Sequence, residues 1–316
     1  MARVLVTRRL PDGGIDPLIA AGHEVVAREH DTPFTKDELC AAVGDVDAVL
    51  CLLTDRIDAD VLDAGAGRLQ VVSNVAVGYD NIDIAAAKAR GIVVGNTPGV
   101  LTETTADLAF ALILAAARRI TEADRFVRDG RWQTWDPNLL LGYDLHGATI
   151  GIVGYGAIGR AVARRALGFG MRVLHASRSD ARDANATRVP LDALLRESDV
   201  VSLHVPLTDE TRAMIGEAQL RAMKPAAILV NTARGGIIDQ PALVRALHEG
   251  WIAGAGLDVA VVEPIPRGDP LLDAPNCVLL PHIGSATHAT RSLMASMAIE
   301  NCLAGLRGEP LPNAVV

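Results

Sequence analysis

Three side chains with complementary chemistry stand in the second half of the chain, each shortly after a short apolar segment. They are Arg234, Glu263 and His282. A guanidinium group can fix a carboxylate and polarise a neighbouring carbonyl, and an imidazole can deliver a proton to a carbonyl oxygen. A carboxylate beside that imidazole stabilises the protonated ring and fixes its orientation. The three types together suit the reduction of a 2-keto acid.

Each of these residues also has a plainer interpretation. Arg234 could be a surface ion-pair partner, Glu263 before Pro264 could only end a strand, and His282 after Pro281 could be a turn residue. His204 ends an apolar segment, which favours a hydrogen-bonded core histidine. The other histidines have no ligand spacing, so we expect no catalytic metal.

A glycine-rich loop, GYGAIG at 154–159, lies between a predicted strand (149–153) and a predicted helix. Gly154 allows a tight turn, Gly156 leaves room for a diphosphate, and Gly159 lets helix and strand pack closely. The helix N-terminus would offer N–H groups and a partial positive charge to the anion. The residues predicted to bind the dinucleotide here are Gly154, Tyr155, Gly156, Ala157, Ile158 and Gly159.

The residues after the second strand of this series bear on which dinucleotide binds. An NAD site usually places Asp or Glu there to bind the ribose 2′-hydroxyl. Ser177 takes that place, and the next acid is Asp180. Arg178 could make a bidentate contact with a 2′-phosphate. Ser177 and Arg178 therefore favour NADP, with NAD possible; the alternative is that Arg178 is a solvated surface residue.

Short β-branched runs alternate with helical segments along the whole chain, which predicts an α/β fold of two Rossmann-like domains with doubly wound parallel sheets. The predicted strands are 3–7, 24–28, 48–53, 69–73 and 92–95, then 149–153, 172–175, 200–204, 228–231, 254–258 and 277–280. The predicted helices include 35–43, 59–64, 82–90, a long one over 102–129, and 286–306. The cofactor domain (101–286) is expected to be inserted into the substrate domain (1–100 and 287–316).

Composition narrows the function classes. The 316 residues suffice for two domains, and a net charge of −8 argues against nucleic acid as a partner. The longest apolar run, 108–117, is ten residues, too short to span a membrane, and no secretory signal is visible. The four cysteines lack ligand spacing, which suggests buried or inert thiols in a reducing compartment, and we expect a cytoplasmic protein.

Several motifs in a fixed order resemble those of D-2-hydroxyacid dehydrogenases, and most of all the glyoxylate/hydroxypyruvate reductases. They are VGYDNID (77–83), TETTAD (102–107), the glycine loop, HVPLT (204–208), NTARG (231–235), DVAVVEP (258–264) and PHIGSAT (281–287). The resemblance implies that NADPH donates a hydride to C2 of glyoxylate or hydroxypyruvate, giving the D-hydroxy acid. It makes Arg234, Glu263 and His282 the catalytic set, with His282 as general acid.

The resemblance also assigns binding residues. The backbone groups of Val77 and Gly78 are expected to bind the substrate carboxylate with Arg234. Thr105 and Asp258 would contact the nicotinamide end of the cofactor. Pro206 and Ala233 would line the cofactor.

Substrate selection is assigned to two further places. Leu53 lies in a segment, CLLTDR (51–56), that faces the substrate side chain in the resembled subgroup. Trp135 would reach across the interface of a homodimer and restrict the pocket to short acids; the alternative is that Trp132 and Trp135 are ordinary interface core. Asn74 and Ala76 lie in a loop whose composition varies among relatives, so the preferred acid stays open.

Other functions remain compatible with these motifs. Within the family the alternatives are phosphoglycerate, formate and phosphite dehydrogenases. A different class is a dinucleotide-sensing, corepressor-like protein that binds partner proteins. Turnover of keto acids separates the enzymes from the sensor.

Overall fold

The computed structural model describes residues 1–11, 14–28, 30–178 and 183–316. Asp180 therefore lies outside the described residues. The chain divides into two compact units, Met1–Leu101 with Ser285–Val316 (unit 1) and Thr102–Gly284 (unit 2). The sequence-based boundaries were 100/101 and 286/287.

In its described residues, unit 1 is built on a five-stranded parallel sheet of order β2-β1-β3-β4-β5. Chain order reverses between β1 and β3, which makes that edge a topological switch point. The strands are β1 (Arg3–Val6), β2 (Glu24–Ala27), β3 (Ala48–Cys51), β4 (Val71–Asn74) and β5 (Val93–Gly95). The helices are α1 (Asp16–Ala20), α2 (Lys36–Val43), α3 (Ala59–Ala64), α4 (Ile84–Ala89) and α11 (His288–Leu306).

Local sequence explains where these helices begin. Thr35 accepts a hydrogen bond from the Glu38 amide while the Glu38 carboxylate accepts one from the Thr35 amide, which completes a capping box at α2. Asp58 and Asp83 cap α3 and α4 through their carboxylates. The C-terminal α11 packs on β3, β4 and β5.

The described residues of unit 2 form a seven-stranded parallel sheet of order β12-β11-β10-β9-β6-β7-β8. The strands are β6 (Thr149–Val153), β7 (Arg172–Ala176), β8 (Thr187–Arg188), β9 (Val200–Leu203), β10 (Ile228–Asn231), β11 (Gly254–Leu257) and β12 (Cys277–Leu279). The helices are α5 (Thr102–Ala117), α6 (Ile120–Arg128), α7 (Ala157–Gly168), α8 (Leu191–Glu197), α9 (Glu217–Ala222) and α10 (Gln240–His248). Every residue of β6, β9, β10 and β11 is buried, as in a sheet covered on both faces.

The prediction of one helix over 102–129 is wrong. The helix ends at Ala117, and α6 begins after Arg119, whose φ of 51° is left-handed. The Tyr143 amide donates to the Ala117 carbonyl at 2.9 Å, so the loop before β6 satisfies the end of α5. The prediction also gave no bounds for α1 and omitted the two-residue strand β8.

Two of the four cysteines are buried, and the other two are partly buried. Cys40, Cys51, Cys277 and Cys302 are all free thiols, and Cys51 and Cys302 are buried. Burial raises the pKa of Cys277 and of Cys302 to about 12. Within the described ranges, no helix combines the length and the hydropathy that crossing a bilayer requires.

Candidate active site

Glu263 and His282 form a direct pair in unit 2. The His282 Nδ1 atom lies 2.7 Å from Glu263 Oε2, and the two side chains are 23% (His282) and 29% (Glu263) exposed. The other carboxylate oxygen, Oε1, accepts a hydrogen bond from the Ala260 amide at 3.0 Å. His282 has a φ of 56°, a left-handed conformation that is uncommon outside glycine and asparagine. With Nδ1 donating to Glu263, the imidazole keeps Nε2 for another partner.

The charge state of Glu263 follows from its surroundings. Burial, the largest influence, raises the pKa of this carboxyl group, but the hydrogen bond and charge of His282, the Ala260 amide and the charge of Arg234 lower it more. The net result is a pKa below the usual 4.5. Glu263 is therefore ionised at neutral pH, and Arg234 is near enough to act on it electrostatically.

Arg234 follows β10 and precedes a short 3-10 turn, Gly235–Ile237. The Asn231 side chain fixes this segment, because its Nδ2 donates to the Arg234 carbonyl at 2.8 Å and its Oδ1 accepts from the Ala233 amide at 3.0 Å. The Arg234 Nη1 atom donates to the Ala233 carbonyl at 2.9 Å. The backbone that carries the guanidinium is thus held from the end of the strand.

Gly235 brings the Arg234 segment against the loop that carries Glu263. A Cβ atom at Gly235 would lie 2.0 Å from the Ala260 carbonyl carbon and 2.5 Å from the Val261 nitrogen. In the same loop, the Val261 amide donates to Gln240 Oε1 at 3.1 Å. Sequence analysis did not identify Gly235 or Gln240 as residues that position the site. The pair of glycines directly after Arg234 is a signal that could have indicated the close approach of this backbone to the loop of Glu263.

Asp258 fixes the turn that contains His282. Its two carboxylate oxygens accept hydrogen bonds from the Ile283 and Gly284 amides, each at 2.7 Å. Asp258 is 1% exposed, and burial raises its pKa despite these two donors. A Cβ atom at Gly284 would lie 3.2 Å from Asp258 and 3.5 Å from Thr105, so the structure brings these two predicted cofactor residues together.

The glycine loop has the geometry that a diphosphate requires. Gly154 has a φ of 95°, and a Cβ atom there would lie 2.5 Å from the His204 carbonyl oxygen. A Cβ atom at Gly159 would lie 2.2 Å from the Gly154 carbonyl oxygen, whereas one at Gly156 would meet nothing within 4 Å. Ala157 and Ile158 are the first residues of α7, whose N-terminus opens at Gly156. The loop therefore leaves room at Gly156 and offers a helix N-terminus to an anion.

Tyr155, between the first two loop glycines, is 3% exposed and turns its ring into unit 2. The ring stacks on His175 with centroids 4.1 Å apart, and its hydroxyl donates to Asp183 at 2.7 Å. Burial and the Asp183 carboxylate raise the pKa of Tyr155. Burial lowers the pKa of His175, so this ring is neutral at pH 7. The side chain of Tyr155 thus supports the loop, and its backbone is the part left for a ligand.

Ser177 and Arg178 directly follow β7, as predicted. The Ser177 hydroxyl lies 3.3 Å from His175 Nδ1. Arg188 donates to the carbonyls of Ser177 and Arg178 and so holds the backbone of this turn. The Arg178 side chain is 82% exposed and pairs with Glu210 at 3.3 Å. Both predicted residues stand at the carboxyl end of the strand that pairs with β6, the strand before the glycine loop.

The predicted substrate residues of unit 1 lie in two loops. Leu53 is partly buried in the turn after β3, and Val77 and Gly78 follow β4. Asn96 Nδ2 donates to the Val77 carbonyl and Asn74 Nδ2 to the Gly78 carbonyl, each at 2.8 Å. These two bonds fix the loop whose amides are expected to bind a carboxylate.

The remaining predicted residues are placed as follows. Trp135 is 78% exposed in the loop after α6. Pro206 lies in the loop after β9, and its carbonyl accepts from the Thr211 hydroxyl at 2.6 Å. His204 Nε2 lies 2.8 Å from the Ser202 hydroxyl, and burial lowers the pKa of His204 to about 4, which agrees with a hydrogen-bonded core histidine. In the described part of the chain, no three His, Cys, Asp or Glu side chains are grouped to hold a metal ion.

Comparisons with known proteins identify the family of the chain. Residues 110–284 match the model of the D-isomer specific 2-hydroxyacid dehydrogenase NAD-binding domain. The chain is 57% identical to a glyoxylate reductase of Korarchaeum cryptofilum over 99% of this chain and 95% of that protein.

Two solved structures extend the likeness to the fold. A protein of Thermus thermophilus is 50% identical with a TM-score of 0.94, covering 99% of this chain and 100% of that one. An NADPH-dependent glyoxylate/hydroxypyruvate reductase of Sinorhizobium meliloti, in complex with NADP and malonate, is 34% identical with a TM-score of 0.86, covering 99% and 96%. The α/β fold with two parallel sheets is therefore confirmed, and the chain belongs to the D-2-hydroxyacid dehydrogenase family and binds a nicotinamide dinucleotide.

Proposed function

We propose that this protein is a glyoxylate reductase that converts a short 2-keto acid to the D-2-hydroxy acid. The observation that carries the proposal is the 2.7 Å distance between His282 Nδ1 and Oε2 of the ionised Glu263. The charge of Arg234 also lowers the pKa of Glu263. The identity to glyoxylate reductases over nearly the whole chain supports the same reaction. Hydroxypyruvate is the second substrate that the subgroup resemblance implies.

His282 acts as the general acid. Because Nδ1 donates to Glu263, Nε2 is the ring atom that gives its proton to the C2 carbonyl oxygen. The Glu263 carboxylate stabilises the ring while it carries the positive charge. When bound, the reduced dinucleotide supplies the hydride that C2 accepts. Arg234 and the amides of Val77 and Gly78 hold the substrate carboxylate, and the guanidinium polarises the carbonyl.

The residues present fit the dinucleotide. The open space at Gly156 and the N-terminus of α7 suit a diphosphate, and the loop residues 154–159 hold it there. Thr105 and Asp258 serve the nicotinamide end, and Pro206 and Ala233 line the cofactor.

We further propose a preference for NADP. The turn after β7 presents Ser177 in place of an acid, with Arg178 beside it, and Arg188 holds the carbonyls of both. An acid at Ser177 would repel a 2′-phosphate, whereas Arg178 can exchange its exposed partner Glu210 for it. We expect Arg178→Ala to lower kcat/KM with NADPH about ten-fold and to leave kcat/KM with NADH unchanged. Arg196→Ala, at an exposed position on α8, is the control; equal losses with both cofactors would contradict the assignment.

The assembly we propose is a homodimer. Large apolar side chains are exposed on α6 and in the loop after it, including Ile120, Val127, Trp132, Trp135 and Leu141. An exposed apolar surface of this kind is typical of an interface. Trp135 is assigned to the partner's substrate pocket, where its ring would restrict the size of the acid.

Steady-state kinetics test the reaction directly. NADPH and NADH oxidation is measured with glyoxylate, hydroxypyruvate and pyruvate, and we expect the highest kcat/KM with glyoxylate and NADPH. If the protein reduced none of these acids, the proposal would be overturned and the dinucleotide-sensing, corepressor-like alternative would be favoured. Turnover of hydroxypyruvate alone would correct the substrate and leave the reaction class standing.

A further inference from the structure

Asn81 joins two loops of unit 1 with one side chain. Its Nδ2 atom donates to the Leu52 carbonyl and to the Asp55 carbonyl, each at 3.1 Å. Both acceptors belong to the turn after β3, which carries Leu53, whereas Asn81 itself belongs to the loop after β4. The amide therefore ties the second loop to the first.

Asn74 extends this connection to the peptide that is expected to bind the carboxylate. Its Nδ2 atom donates to Asn81 Oδ1 at 3.2 Å and to the Gly78 carbonyl at 2.8 Å. Asn74 is fully buried at the end of β4, and the Cys51 thiol lies 3.6 Å from its Oδ1 atom. The chain of amides thus runs from Gly78 through Asn74 and Asn81 to the turn of Leu53.

Asp55 fixes that turn from the inside. Its Oδ2 atom accepts from the Leu52 amide at 2.8 Å and from the Thr7 hydroxyl at 2.5 Å, and the residue is 2% exposed. Arg8 Nη2 lies 3.9 Å from Asp55 Oδ1. With the turn anchored to the end of β1 in this way, the Asn81 amide has a rigid partner.

These contacts lie at the carboxyl ends of β1, β3 and β4, next to the switch point of the sheet, where ligands bind in open α/β folds. If Asn74 and Asn81 served stability alone, any nearby acceptor would satisfy their buried amides. Here the same two amides connect the residue assigned to the substrate side chain with the amides assigned to its carboxylate. The spacing of these two substrate contacts therefore depends on Asn81.

We propose that Asn81 is a positioning residue for the keto acid, which sets the separation of the Leu53 turn and the Val77–Gly78 amides. The inference rests on the proposed function. Asn81 touches neither substrate nor cofactor and acts through Leu53 and Gly78. Because the carboxylate is bound alike in the ground state and the transition state, loss of this positioning raises KM more than it lowers kcat.

The test compares Asn81→Ser and Asn81→Asp with the unmodified enzyme. Serine removes both amide donors without adding charge, and aspartate turns carboxylate oxygens toward the carbonyls of Leu52 and Asp55. We expect KM for glyoxylate to rise about ten-fold in Asn81→Ser and further in Asn81→Asp, with kcat and the KM for NADPH within about two-fold. Because Asn81 is only partly buried, we expect Asn81→Ser to keep the fold.

Asp83→Ala is the matched control for lost stability. It removes the cap of α4, where Asp83 Oδ1 accepts from the Ala86 amide at 2.8 Å, and leaves the contacts of Asn81 in place. It should lower Tm without changing KM for glyoxylate. An unchanged KM in Asn81→Ser, or equal KM changes in Asn81→Ser and Asp83→Ala, would overturn the inference while the enzyme still reduces glyoxylate. Absence of turnover in the unmodified enzyme would overturn the proposed function and the inference together.

Discussion

His282 combines a reactive ring with an uncommon backbone. Its φ of 56° means that substitution by alanine would add backbone strain to the loss of the imidazole. Asparagine tolerates this conformation better, so His282→Asn removes the proton donor with less disturbance. We expect kcat to fall about a hundred-fold to ten-thousand-fold, with KM for glyoxylate within a few-fold. Steady-state kinetics check this, with the exposed His288→Asn as control; near-normal kcat would remove His282 from the mechanism.

Glu263 gives the pH dependence of the same step. Its pKa is held below 4.5, so the carboxylate and its support of His282 persist at neutral pH and are lost as pH falls through that lowered pKa. On the acidic side of neutral pH, we expect kcat to decline only below about pH 4.5, the usual pKa of a glutamate carboxyl group. Glu263→Gln should lower kcat about ten-fold or more and remove the acidic decline.

The measurement for Glu263 is kcat from neutral pH downward, restricted to pH values at which the circular dichroism spectrum matches that at neutral pH. This restriction separates titration of the site from acid unfolding. An acidic decline that is the same in the Glu263→Gln variant would assign it to another group.

At the scale of elements, the Arg234 segment packs so closely against the Ala260–Glu263 loop that no side chain fits at Gly235. A methyl group at Gly235 would lie 2.0 Å from the Ala260 carbonyl carbon, so backbone must move and Glu263 with it. We expect Gly235→Ala to lower the free energy of unfolding by about 1–3 kcal/mol and to lower kcat at least about ten-fold.

The neighbouring glycine provides the matched control for Gly235→Ala. A methyl group at Gly236 would lie 3.3 Å from the ends of the Leu207 side chain, which can move at small cost. Gly236→Ala should therefore keep Tm and kcat close to those of the unmodified protein. Thermal unfolding and steady-state kinetics measure Tm and kcat of the two variants. Equal losses in Gly235→Ala and Gly236→Ala would contradict the argument from close packing.

The elements also show what sequence patterns can and cannot predict. The glycine loop could be predicted because strand, GxGxxG and helix follow one another directly in the chain. Arg234, Glu263 and His282 each have other uses at a strand end, and they could be predicted as a catalytic set because their motifs occur in a fixed order along the chain. The break at Arg119 was missed because it depends on Tyr143, which reaches Ala117 only in the folded unit. The amide chain through Asn74 and Asn81 was missed for the same reason, since neither spacing nor periodicity reports a contact between loops.

At the scale of the whole molecule, the chain carries a net charge of −8 and an exposed apolar surface on α6. Ile120 and Val127 are seven residues apart and so lie on one helix face, and they are 50% and 52% exposed. Arg125 lies on the opposite face. Ile120 and Val127 therefore form an exposed apolar stripe on α6, which we propose as part of the interface with a second copy of the chain.

A charge on that stripe should dissociate the proposed dimer. We expect Val127→Asp to shift the mass in solution from twice the 33.2 kDa of the chain toward the single chain at micromolar concentration, because the buried carboxylate would have no partner. Arg125→Asp, on the other face of α6, should leave the mass unchanged. Light scattering coupled to size-exclusion chromatography measures both, and a Val127→Asp protein that stays at twice the chain mass would place the interface elsewhere. If Trp135 restricts the partner's pocket, the dissociated variant should also lose selectivity for glyoxylate over longer keto acids, because its pocket then has no ring from a second chain.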